Sequence, residues 1–207
     1  MNRYTKVSLQ STVDQLVTQI DKTTSILIVY FNIVHDSEKI RICLSRKFSC
    51  PTVFASSCQG AFCLSPSGSL PTADIVLFAI DDPLGHYGVG VGNLDQTTAE
   101  QGAKKAINDA LLRSELCYEI PTLVWCVMPP GKEEFLIKGI ASVIGDKVPV
   151  FGGSAADNDV SGEWLQGNNE LIDRNIVVIL VMQPSTPIGA SYSSGYLATD
   201  KKFIAHG

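Results

Sequence analysis

The chain has no apolar run near the roughly 18 residues that a membrane-spanning helix needs. Its first apolar run, at Ile26, comes too late and after too polar a leader for a secretory signal. Nor is there a basic excess: 16 Lys and Arg face 21 Asp and Glu, a formal net charge of -5. That balance argues against nucleic-acid or anionic-membrane partners, which call for a basic face. Cysteines number 6, but no Cys-x-x-Cys pair occurs, so neither a structural zinc site nor, without an export signal, a disulfide framework is expected. Histidines number only 3 (His35, His86, His206), and no metal-ligand spacing joins them. No Gly-x-Ser-x-Gly nucleophile elbow occurs either. These absences point to a cytoplasmic protein that does its work without zinc or nucleic acid.

What is present is apolar material in short, ordered pieces. Hydrophobic residues make up 45% of 207 residues, enough for one sizeable core. Leu9, Val13, Leu16 and Ile20 recur at helical spacing. Ser25 to Phe31 is a continuous run of the kind a strand buried on both faces shows. A helix is expected from Ser37 to Phe48, ended by Pro51, with Thr52–Ala55 as the next strand. Ser65 to Pro71 reads as a turn, Asp74 to Ile80 as a strand, and His86 to Leu94 as another. In the latter, Gly88, Gly90 and Gly92 lack Gly-x-Gly-x-x-Gly spacing, and their alternation with Val89 and Val91 suits a strand lying close against another backbone.

The order then begins again. Thr97 and Glu100 have capping-box spacing before a helix with a small-residue face (Ala99, Ala103, Ala106, Ala110). Thr122 to Met128 is an apolar strand, Phe135 to Ile144 a helix ending at Gly145, and a strand follows Pro149. Glu163–Gly167, Asn175–Met182 and Ile188–Leu197 complete the expected strands. One displacement lays Ile26–Val29 on Leu123–Cys126 and Val53–Ser57 on Val150–Ser154. A slightly longer one lays Ile75–Phe78 on Ile176–Ile179 and Gly88 on Gly189. The expectation is an internal duplication, with copies of about 8–95 and 96–207 in one domain spanning 1–207. Each copy reads helix, strand, helix, strand, then an antiparallel meander. The fold class is α/β (mixed α+β): mixed sheets packed together, helices outside.

Ligands in open α/β sheets sit beyond the carboxyl ends of parallel strands. Here both ends run into small residues, Ser56-Ser57-Cys58-Gln59-Gly60 and Gly152-Gly153-Ser154-Ala155-Ala156-Asp157-Asn158. The expected ligand place is the seam between these two ends, lined by backbone amides that no Cβ covers. Asp157 has a second reading as an Asx turn or helix cap, and Ser56 and Ser57 as ordinary turn residues. Asp157-x-Asp159-x-Ser161-Gly162 copies the first half of an EF-hand loop, but Asn168 stands where that loop needs a bidentate Glu.

The run Val150-Phe151-Gly152-Gly153-Ser154-Ala155-Ala156-Asp157-Asn158, with the Ser57-x-x-Gly60 turn before it, resembles the FIST sensory domain, specifically its N-terminal segment. The resemblance covers Ile26 to Gly207. It implies an intracellular sensory and signal-transduction role with a small ligand such as an amino acid. It implies Ser56, Ser57, Gly60, Gly152, Gly153, Ser154, Asp157 and Asn158 as ligand-binding residues. Partners implied are a C-terminal FIST segment or a signalling output protein, with an oligomer left open. No cofactor is specified, although some members bind haem and sense nitric oxide, which stands as an alternative. A further alternative is a hydrolase with Ser154 or Cys58 as nucleophile, though no histidine base can be assigned from spacing, so the balance favours a binding domain over an enzyme.

Overall fold

A computed structural model describes residues 3–6, 20, 23–62, 72–116 and 119–191. The Leu9–Ile20 helix, apart from a buried Ile20, and the Ser65–Pro71 turn lie outside the described residues. So does the expected last strand beyond position 191, and residues 188–191 carry no strand.

The first sheet has six strands in the order β1 (Arg3–Lys6), β6 (Ile75–Ile80), β2 (Ile26–Asn32), β3 (Thr52–Ser57), β10 (Gln166–Gly167) and β11 (Ile172–Asp173). Only β2 and β3 are parallel, and helix α1 (Ser37–Lys47) joins them. The second sheet runs β7 (His86–Asn93), β12 (Ile176–Gln183), β8 (Leu123–Met128) and β9 (Val150–Ser154). Here β8 and β9 are the parallel pair, joined by α3 (Glu133–Ile144), while α2 (Ala99–Arg113) connects β7 to β8. A two-stranded ladder, β4 (Ala61–Phe62) with β5 (Thr72–Ala73), is paired to neither large sheet but lies against β2 and β6 of the first.

Strand alternation sorts the apolar side chains into layers. Ile26, Ile28, Val53 and Ala55 face the second sheet, where Val89, Val127, Val178 and Leu180 meet them. Leu27, Val29 and Phe31 point the other way, onto Ile40 and Leu44 of α1. On the far side Val124, Cys126, Val177 and Ile179 pack against Ala103, Ile107, Leu136 and Ile140. The result is four layers: helix, sheet, sheet, helices. Strands buried on both faces account for the unbroken apolar runs. The glycine stripe of β7 also has its reason, because a Cβ at Gly88, Gly90 or Gly92 would run into the main chain of α2 at Ala110, Ala106 and Gly102. Burial pushes the Cys126 thiol up to about 12, so this cysteine is a small apolar side chain at neutral pH.

The four strands β1–β6–β2–β3 and β7–β12–β8–β9 have the same order and the same relative directions. The ladders fix which rungs correspond. Leu27 N–H donates to Pro51 O at 3.1 Å, and Val124 N–H to Pro149 O at 3.0 Å. Pro51 therefore answers to Pro149 and Ser56 to Ser154, one rung away from the expected Ser57–Ser154 match. The expected Ile75–Ile176 match is also one rung out, since Ile75 faces a helix and Ile176 faces the other sheet. Runs that are apolar at every position carry no parity signal, so a slip of one goes unseen in the sequence. Strand β7, expected to close the first copy, pairs with β12 in the second sheet. The helix cap moves by one as well: Thr98 and Gln101 form the capping box, and Thr97 Oγ donates to Asn93 O at 2.6 Å.

Candidate functional site at the strand ends

After β9 the chain leaves the second sheet and crosses to the first. Ala155 N–H donates to Met128 O at 2.9 Å, and the next residue, Ala156, donates to Ser56 O at 3.0 Å. This short segment ties the carboxyl ends of both parallel pairs together. Ser56, 2% exposed, holds the joint: its Oγ donates to Ala156 O at 2.7 Å and accepts from Leu165 N–H at 2.8 Å. Ser57 Oγ donates to Gly60 O at 2.6 Å, closing a turn in which Gln59 and Gly60 have positive φ. Asn158 spans the gap, accepting from Gln59 N–H at 2.6 Å and donating to Asn32 Oδ1 at 2.8 Å.

Asp157 is the anchor of the following loop. One carboxylate oxygen accepts from Val160 N–H at 2.7 Å, the other from Gly162 at 2.7 Å and Glu163 at 3.0 Å. Burial works against its charge. The backbone N–H groups of Gly162, Glu163, Val160 and Asp159 outweigh that and hold the carboxyl below its ordinary range. Its hydrogen bonds are those of the turn reading, and the same N–H groups take the oxygens that a calcium loop would offer to metal.

The two glycines differ. At Gly152, φ is +133° and a Cβ would strike Cys126 O of the neighbouring strand, so only glycine fits. At Gly153 a Cβ would meet nothing within 4 Å. On the opposite, helix-facing side of β9, Ser154 Oγ donates to Glu133 Oε1 at 2.5 Å. The Ser154 hydroxyl and the backbone N–H groups of Glu133, Gly131 and Lys132, at the entry to α3, hold the Glu133 carboxyl below its ordinary range. An ionised, half-buried carboxylate thus stands at the end of the β8–β9 pair. Sequence reasoning missed Glu133. The signal was there: an acid in the first helical turn after the strand-ending Pro129-Pro130-Gly131.

Among the described residues, apolar side chains occupy the seam. Tyr30, Val53, Trp125, Val127 and Leu180 fill the space between the sheets. Of the expected site residues, the structure brings Ser56, Ser57, Gly60 and Asn158 to the joint between the strand ends, uses Asp157 to tie down the adjoining loop, and leaves Gly152, Gly153 and Ser154 exposed on the rim. Two adjoining cavities, of about 360 and 240 Å³, lie elsewhere, around Arg113, Asn168 and Glu170. Arg113 is occupied there by Asp109 and Glu170, its Nη1 donating to Glu170 Oε1 at 2.6 Å. Cys58 is exposed and free, and among the described residues no group of three metal-ligating side chains is placed to hold an ion.

The sequence pattern of the FIST N domain matches residues 25–206, nearly the whole chain. The chain belongs to the FIST family. FIST domains are sensory domains, and in this one the Gly152-Gly153 element closes the second parallel pair. No curated protein sequence matches the chain. Among solved structures, the cyanuric acid hydrolase of A. caulinodans is similar at 10% identity, over 89% of this chain and 67% of that one, with a TM-score of 0.43. A second cyanuric acid hydrolase is similar at 10% identity over 88% and 68%, with a TM-score of 0.36. Among the described residues of this FIST domain, no helix is long and apolar enough to cross a membrane.

Proposed function

We propose that this FIST domain is the ligand-binding part of a signalling system. Its ligand is a small metabolite carrying an ammonium group, an amino acid or a close relative. The observation that carries this reading is the Glu133–Ser154 pair at the exposed end of β9. The ligand's ammonium donates to the Glu133 carboxylate, with Ser154 Oγ reoriented to accept a second N–H. Ser56, Ser57, Gly60, Asp157 and Asn158 serve beneath the ligand as the rigid joint that fixes the rim. Output passes to a signalling protein or to a C-terminal FIST segment. The site spans the end of β9 and the start of α3, so a bound ligand braces that helix against the second sheet.

Thermal unfolding with a panel of amino acids and their amides and amines tests the reading. A ligand at a hundred times its Kd stabilises by about 2.7 kcal/mol, or about 5–10 °C for a domain of this size. Glu133→Gln is expected to abolish that rise while leaving the unliganded melting temperature nearly unchanged. A panel in which no amine-bearing metabolite moves the transition would overturn the proposal.

A further inference from the structure

Each parallel pair has an outer strand, β3 or β9, that offers a row of backbone groups to whatever lies beyond it. Alternate residues of such a strand bond inward, and the others face out. On β3 the outward rungs are Thr52, Phe54 and Ser56, and all three are taken. Asn169 Oδ1 accepts from Thr52 N–H at 2.8 Å, Gly167 pairs with Phe54, and Ser56 N–H donates to Leu165 O at 2.7 Å. The strand doing this, β10, belongs to the β10–β11 hairpin, which the chain forms between β9 and β12. The second sheet thus lends its hairpin to the first.

On β9 the corresponding outward rungs are Val150, Gly152 and Ser154. The ladder to β8 runs from Val124 N–H on Pro149 O to Ala155 N–H on Met128 O, which leaves these three facing away. Among the described residues nothing pairs with them, for the sheet ends at β9 and Gly152 to Ser154 are exposed. The strand reads Val-Phe-Gly-Gly-Ser, without a charge. Lysines, inward charges or prolines commonly guard exposed edges. The one proline nearby, Pro149, precedes the strand and has its carbonyl taken by β8.

The hairpin that corresponds to β10–β11 is β4–β5, formed between β3 and β6. It pairs with neither large sheet. Among the described residues, then, one acceptor edge has no strand paired to it, and one hairpin, though it lies against β2 and β6, is paired to neither sheet. That is the same relation that is satisfied within the chain between β10 and β3. We propose that a second copy of this chain fills the edge: β4 of each copy docks antiparallel on β9 of the other. Reciprocal docking uses the same two surfaces twice, so it closes on a two-fold dimer and leaves no edge to propagate. It does not depend on the ligand reading, because the test reads particle size and not ligand uptake.

Sedimentation of the whole chain over a wide concentration range decides the matter. The wild type is expected at twice the 22.3 kDa chain mass at the upper concentrations. Ser154→Pro removes an outward N–H without touching the β8 ladder, and Gly153→Lys places a guarding charge on the edge at a position where a Cβ meets nothing within 4 Å. Both are expected to sediment as monomers, with at least a tenfold weaker association. Should Ser154→Pro fail to fold, Gly153→Lys decides alone. A wild type that stays monomeric throughout overturns the proposal, and so does a dimer that survives Gly153→Lys unchanged.

Discussion

Ser56 and Ser154 stand on corresponding rungs of two sheets built to one strand order, yet their surroundings are opposite. Around Ser56 the crossing segment, the β10 strand and the Gly60 turn converge, and the hydroxyl donates and accepts inside a closed joint. Around Ser154 the sheet stops, a glycine face is bare, and the hydroxyl reaches a carboxylate at a helix start. The difference arises from a single loan of a hairpin from the second sheet to the first. Where the edge is filled the strand end becomes scaffold. Where it is open the same chemistry is free to meet something outside the chain.

That contrast predicts a graded set of outcomes. The largest separates the adjacent glycines. Gly152→Ala forces a side chain against β8 at positive φ and should cost about 2–6 kcal/mol, combining backbone strain with overpacking. Gly153→Ala enters open space and should stay within about 0.5 kcal/mol of wild type in chemical denaturation. If the two substitutions cost the same, the account of the β9 end is wrong. Next come the serines. Ser56→Ala strands Leu165 N–H and Ala156 O in a buried joint, at about 1–3 kcal/mol. Ser154→Ala removes a hydroxyl from an exposed rim, and its loss in denaturant should be under about 1 kcal/mol.

The acid side sharpens the comparison further. Asp157 and Glu133 both titrate below their ordinary values of 3.8 and 4.5 in the folded chain. A lowered folded pKa favours the native state above the unfolded pKa, and that contribution is lost as pH falls through the folded value. Stability should therefore decline on acidification below about pH 4. Asp157→Asn should lower the melting temperature at neutral pH and flatten this acid limb, because the loop N–H groups lose their anion. Glu133→Gln should flatten it less, since Glu133 answers only to a serine and the helix start. Melting curves from pH 2 to 7 on the three proteins provide the check.

How much of this could be read from residues alone follows from what each pattern encodes. Strand positions were legible because buried strands are continuous apolar runs, and helix α3 because Gly145 stops it with φ +81°. The Gly88-Gly90-Gly92 stripe announced a close backbone, and α2 lies there. Register was not legible, since Ile75–Ile80 and Ile176–Gln183 are apolar on nearly every rung and look alike when slipped by one. The Pro51–Pro149 correspondence comes from the ladders alone, where each carbonyl accepts from the neighbouring parallel strand. The exchange of β10 to the other sheet rests on two ladder residues, Gln166 and Gly167, too few for a local signal. The expected site was half legible. Asp157, Asn158 and Ser56 spend their hydrogen bonds on the protein's own turns, and the seam they border is packed with Trp125 and Leu180. Chemistry open to solvent falls to Glu133, whose place beside Ser154 is a matter of tertiary distance.

Amide hydrogen exchange at Ser56 and Ser154, followed as the protein is diluted, sets the closed strand end against the open one directly. Protection at Ser56 is expected to hold at every concentration, while protection at Ser154 appears only in concentrated protein and vanishes on dilution. Equal and concentration-independent protection at both serines would mean that the β9 edge is already covered within one chain, and the contrast drawn between the two sheets would fall.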